Sequence, residues 1–299
     1  MLAIVIPFYK IKFFENVLQS LRHQTNKNFN VYIGNDASPE DPDALIESFQ
    51  EDIRIKYEKF DENLGDTSLT KQWERCIGLT ENEKWLMVLC DDDLLSSNVV
   101  EKFYSSLEKI ELYDCKVVKY ATQIIDDSGN LISEKFFHPE VQDYEEVFYS
   151  RFFKGSRSSL SEHIFNKAQY ERFGFRNFDL AWHADDFAWL EFSEFGKIYS
   201  INDALVYFRL SEINISRQSY LQQQKIETRY LFFTIIIEGY LNRFNKDYAL
   251  RILKKYELMT YKLNKGSIAF WFKFYPFIYK YFGAIEVVKF SRRIFLNRK

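Results

Sequence analysis

Through residue 93 the chain alternates short apolar runs with segments of helical spacing, and this alternation restricts it to an α/β architecture. Residues 2–6 are continuously apolar and end at Pro7, the pattern of a strand covered on both faces. Phe14, Val17, Leu18 and Leu21 then recur at helical spacing. The same pattern predicts strands over 29–33, 53–57 and 85–89 and helices over 42–49 and 69–79. Such units predict parallel strands joined by right-handed crossovers, with ligands gathered beyond the carboxyl ends of the strands. The candidate residues are therefore Pro7-Phe8-Tyr9, Asn35-Asp36-Ala37-Ser38, Asn63-Leu64-Gly65 and Asp91-Asp92-Asp93.

Beyond residue 93 the regularity changes. Spacing predicts helices over 99–110, 144–153 and 187–195 and strands over 117–125, 163–165 and 198–208. Asp126-Asp127-Ser128-Gly129-Asn130 is a turn signal flanked by 117–125 and 131–133. From about 217 the sequence reads as helices only. The expected organisation is an α/β domain over 1–216, with halves 1–93 and 94–216, followed by a helical region over 217–299.

Charge and composition exclude several classes. Lys+Arg is 40 and Asp+Glu is 43, a net charge of −3, so no global basic field favours nucleic acid. Ten Gly and five Pro exclude collagen-like or disordered composition. Cys76, Cys90 and Cys115 cannot all pair and read as free thiols in a reducing compartment. No basic region precedes the first apolar run, so it reads as a strand and not a signal peptide. The longest uncharged apolar run near the C-terminus, 230–237, falls far short of the roughly 20 residues of a membrane span. A soluble or peripheral cytoplasmic protein is expected.

Three adjacent carboxylates after a buried strand repel one another unless a divalent cation or water neutralises them. Oxygen ligands suit Mg²⁺ or Mn²⁺, shared with substrate phosphates, although Asp93 could instead cap a helix. Asp36 could accept from a nucleobase or ribose, or serve as a turn residue. Gly65 permits close backbone approach beside the Asn63 amide. Lys71 and Arg75, on one predicted helix, could face a diphosphate or form a solvated face. Asp185-Asp186 could hold a general base, or simply satisfy a helix N-terminus. His183 has no second His at ligand spacing and reads as structural or acceptor-side.

Together these residues resemble a family 2 glycosyltransferase of the GT-A fold, over about residues 2–216. Ile4 to Tyr9 resembles the opening strand motif. Val31 to Ser38 resembles the second-strand motif, with Asn35 in place of the first Asp and Asp36 kept. Asn63-Leu64-Gly65 resembles the next segment, and Asp91-Asp92-Asp93 the Asp-x-Asp motif. Asp185-Asp186 resembles the Glu-Asp pair, aligning Asp186 with the catalytic Asp. Tyr207-Phe208-Arg209, then Asn214-Ile215-Ser216, resembles the closing segment, with Ser211 where the family often has His. The resemblance implies an inverting transfer from a nucleoside-diphosphate sugar, most often uridine-linked, to a glycan or lipid-linked hydroxyl in bacterial surface-polysaccharide synthesis. It implies a donor site of Pro7, Phe8, Tyr9, Asp36, Asn63, Gly65, Lys71, Asp91, Asp92 and Arg209. Metal would fall to Asp91 and Asp93, as Mg²⁺ or Mn²⁺, and catalysis to Asp186 with Asp185. A metal-dependent nucleotidyltransferase would usually carry a Gly-rich loop after the first strand, absent from Pro7-Phe8-Tyr9-Lys10. A non-catalytic nucleotide- or glycan-binding relative would be expected to lose the acidic residues.

The C-terminal segment stands apart. Residues 262–299 carry nine bases and one acid, Glu286, leaving the remainder of the chain at −11. Aromatics interleave with the bases over 268–282, as in a segment lying at an anionic membrane surface. The same pattern suits a helical subdomain packed on the catalytic domain or on a second copy in a homo-oligomer.

Overall fold

A computed structural model describes residues 1–212, 214, 217–263 and 265–296, with Ile268 as backbone only. The chain forms two compact units, Met1–Lys225 and Ile226–Lys299.

The first unit is built on a nine-stranded mixed, mostly parallel sheet of the GT-A type. It opens with β1 (Leu2–Phe8), α1 (Phe14–Arg22), β2 (Phe29–Asn35), α2 (Asp43–Glu47), β3 (Ile55–Lys59), α3 (Leu69–Ile77) and β4 (Trp85–Val88). There follow β5 (Leu94–Leu95), α4 (Val99–Ser105), α5 (Leu107–Leu112), β6 (Val117–Ile125), β7 (Val141–Asp143), α6 (Tyr144–Phe153), β8 (His163–Asn166), α7 (Lys167–Phe173), α8 (Ala184–Phe192) and β9 (Lys197–Arg209). The strand order is β3-β2-β1-β4-β8-β6-β9-β5, with β7 on β9.

Continuous apolarity in β1 reflects burial on both faces. Leu2, Ile4, Ile6 and Phe8 pack with Phe14, Val17, Leu18 and Leu21 of α1, while Ala3 and Val5, of opposite parity, are equally buried. Each Leu, Ile, Val or Phe side chain so buried contributes roughly 1.5–3 kcal/mol. β1 pairs in parallel with both β2 and β4, so strand order reverses between β1 and β4. The crevice at such a reversal is where open α/β sheets bind ligands. β8 then enters antiparallel between β4 and β6, and its pairing with β4, across more than 75 residues, is one that no local pattern encodes.

Two helices differ from their expected extents. The segment 99–110 is broken at Ser106 into α4 and α5. The helix expected over 187–195 starts at Ala184 and ends at Phe192, because His183 adopts a left-handed φ of 72° and Glu194 and Phe195 are left-handed too. Asp185 and Asp186 therefore lie within its first turn. At 126–130 the expected turn forms: Asp126 Oδ1 accepts from the N–H groups of Ser128 and Asn130, and Gly129 takes a φ of 84°.

α9 (Gln222–Ile235) leads into the second unit, which contains α10 (Lys246–Lys262), α11 (Ile268–Phe272), α12 (Tyr275–Phe282) and α13 (Ala284–Leu296). Of the aromatics of 268–282, Trp271 and Phe274 are buried, together with Ile278, Phe290 and Ile294. Arg293 clamps Glu257 through two hydrogen bonds, at 2.7 and 2.9 Å, and Glu286 at 2.7 Å. Among the described residues no helix is long and apolar enough to cross a membrane.

Candidate active site

The polar segments after the parallel strands converge as the sheet topology requires. Asp91 Oδ2 accepts from the backbone N–H groups of Tyr9 at 2.9 Å and Lys10 at 2.8 Å, which joins the loops after β1 and β4. Pro7 is partly buried, Phe8 fully buried, and Tyr9 exposed. Asp36, after β2, accepts from Leu64 N at 2.7 Å, Gly65 N at 2.8 Å and Arg75 Nη2 at 2.6 Å. The guanidinium of Arg75 lies 3.8 Å from the centroid of the Phe60 ring. Arg75 is thus part of the Asp36 cluster and not a solvated face, whereas Lys71 is exposed. Asn63 Oδ1 accepts from Asp66 N and shapes the turn that presents the 64–65 amides.

Gly65 has no room for a side chain: a Cβ there would stand 2.4 Å from Asp36 Oδ2. Gly65→Ala should break the Asp36 contact, and a lost buried hydrogen bond costs about 1–3 kcal/mol. Thermal unfolding is expected to show the melting temperature of Gly65→Ala lowered by several degrees, at roughly 2–4 °C per kcal/mol.

After β4, Asp92 and Asp93 converge with Cys90, their ligand atoms lying within 4.8 Å of one another. Asp93 is buried and its Oδ1 accepts from Arg209 N at 2.9 Å. Arg209, 1 % exposed, donates to the carbonyls of Asp92, Asp126 and Asp127 and stands over the Phe13 ring. It therefore braces the acidic turn. Asn214 Nδ2 donates to Asp92 Oδ2 at 3.1 Å; Ile215 and Ser216 of the same motif lie outside the described residues. Burial and then the charges of Asp93 and Asp91 push the Asp92 carboxyl well up, and burial takes Asp93 to about 6. Crowded carboxylates that resist ionisation are what a bound cation relieves, so the residues fit a divalent ion. Burial also pushes the Cys90 thiol up, keeping it protonated. The donor set for a hard cation is then the oxygens of Asp92 and Asp93.

The second acidic station lies at the start of α8. Asp186 is fully buried and both oxygens are engaged: Arg151 Nε reaches Oδ1 at 2.8 Å, Arg151 Nη2 reaches Oδ2 at 3.0 Å, and His183 Nδ1 lies 2.7 Å from Oδ2. Burial opposes its charge, but Arg151 and His183 prevail and hold the carboxyl far below the usual range. Asp185 is partly exposed, and burial and the adjacent Asp186 charge raise it to about 7. Glu162, buried beside Lys119 at 3.2 Å, bears electrostatically on both Asp93 and Asp185. Arg151 carries no motif, and the one local signal of Glu162 is the Ser159-x-x-Glu162 capping box; only the fold brings α6 and the turn before β8 to these carboxylates.

Fold and site together define a glycosyltransferase of the GT-A type. The chain belongs to glycosyl transferase family 2, whose sequence model matches residues 3–165, more than half its length. Among solved structures, S. aureus TarS 1–349 in complex with UDP-GlcNAc is similar at a TM-score of 0.66 and 14 % identity, over 94 % of this chain and 81 % of that one. The same protein in complex with UDP gives 0.62 at 14 % identity, over 87 % and 72 %. No curated protein matches in sequence.

Proposed function

We propose that the protein moves a sugar, with inversion, from a uridine-diphosphate sugar to a hydroxyl of a glycan or lipid-linked acceptor in bacterial surface-polysaccharide synthesis. The observation that carries this reading is the pair of acidic stations: Asp91 to Asp93 beyond β4, and Asp185 poised near neutrality at the start of α8. Structural neighbours that bind UDP-GlcNAc and UDP support a uridine donor. The Asp36–Arg75–Phe60 cluster and the 64–65 turn would form the wall for the base, with Tyr9 and Lys71 on the exposed side. Asp92 and Asp93 would hold Mg²⁺ or Mn²⁺ together with the donor diphosphate, with Asp91 tying the loop that flanks it. Such an ion offsets charge developing on a departing diphosphate.

Asp185 takes the proton of the acceptor hydroxyl as its oxygen bonds to the anomeric carbon and the bond to the diphosphate oxygen breaks. The resemblance places the base at Asp186, but its closed ring of partners leaves no oxygen to receive a proton. Asp186 instead fixes Arg151, and its charge raises Asp185. A single base suffices, because inversion needs one carboxylate at the reacting carbon.

Incubation with a panel of nucleotide sugars and Mn²⁺ is expected to release UDP from one donor, faster with acceptor present. No release from any donor would overturn the reading. Asp93→Ala should cut metal-supported UDP binding at least tenfold with the fold intact; calorimetry showing equal binding would remove Asp93 from the donor site.

A further inference from the structure

α13 carries two faces. Glu286, Phe290 and Ile294, four residues apart, are buried in the second unit. On the opposite side Ile285, Val288, Phe295 and Leu296 are 74 %, 69 %, 70 % and 63 % exposed, at helical spacing along one stripe. Arg292 lies within that stripe and Lys289 at its edge, both exposed. Tyr279 of α12 and Phe272 of α11 add two more exposed rings, and Lys280 is exposed beside Tyr279. Exposed apolar residues aligned along one face of α13 mark an interaction surface.

Charge selects the partner. Among the described residues of 265–296, those that are exposed are apolar, small or basic. The acid of this stretch, Glu286, is buried under Arg293. A surface made only for solubility mixes both signs. Aliphatic side chains beside bases whose long stems let the charge reach headgroups match an anionic bilayer surface. The aromatics interleaved over 268–282 are not the membrane-facing set, since Trp271 and Phe274 are packed inside.

We propose that the α13 stripe, with Tyr279 and Lys280 of α12, seats the protein on anionic phospholipid, with Ile285, Val288, Phe295 and Leu296 entering the interface. The test is sedimentation of the full chain with vesicles of phosphatidylcholine alone or mixed with phosphatidylglycerol. The wild-type protein is expected to bind the mixed vesicles at low salt and to leave them at high salt. Ile285→Ser/Val288→Ser/Phe295→Ser, all at exposed positions, should lose binding with an unchanged melting temperature. Lys280→Gln/Lys289→Gln/Arg292→Gln should weaken partitioning about 100-fold, at roughly fivefold per base. Absence of wild-type binding, equal binding by either variant, or equal affinity for neutral vesicles would each overturn the proposal. So would a wild-type dimer that the serine variant makes monomeric while neither binds vesicles, since the stripe would then be a contact between copies.

Discussion

Asp185→Asn is expected to lower the transfer rate about 100- to 10,000-fold while leaving UDP affinity nearly intact, the range a positioned general base supplies. In the proposed mechanism the group acts on the acceptor hydroxyl, so donor binding would not depend on it. The wild-type rate should rise with pH through about 7, where Asp185 loses its proton, and that limb should vanish in the variant. A base must be deprotonated to work, so activity lies on the alkaline side. Single-turnover rates across pH, with UDP affinity in parallel, make the measurement. Retention of the wild-type rate and of its acid limb would move the base to another residue.

Removing Arg151 should produce the largest stability loss. Arg151 holds Asp186, a fully buried carboxylate, through two hydrogen bonds. Arg151→Met leaves that charge with His183 and the more distant Trp189 N–H, and breaking one side of a buried pair costs about 3–5 kcal/mol. Arg151→Met/Asp186→Leu should recover most of the loss, because no unpaired charge is then buried. The sign with pH follows from the depressed carboxyl of Asp186. Its stabilisation is fully present above the ordinary carboxylate value near 4 and is lost as pH falls below it. The gap between wild type and Arg151→Met in urea should therefore hold from about pH 5 to 8 and shrink in acid.

Much of the site could be read from sequence because it depends on local pattern. Asp36, Gly65 and Asp91 follow recognisable strands or turns, and parallel topology brings strand ends together whatever the details. Arg75 shows the limit: the same arginine reads as a solvated helix face until Asp36 is placed 2.6 Å away. Arg151 had no signal at all, being an ordinary base on α6 whose partner lies 35 residues on.

The sequence by itself determined the α/β alternation, the strand ends that carry the candidate donor-side residues, and the basic character of the C-terminal segment. Hydrophobic periodicity and adjacent carboxylates are properties of neighbouring residues, and the continuous apolarity of β1 answers to burial on both of its faces. Tertiary structure alone decided how the environments of the acidic pair differ. Asp185 and Asp186 are identical in type and adjacent in sequence, yet one is raised to about 7 and the other held ionised. Only the folded chain surrounds Asp186 with Arg151 and His183 and leaves Asp185 partly exposed next to its charge. It likewise decided which face of α13 is covered, because a helix with apolar residues on both sides does not specify which one finds the core.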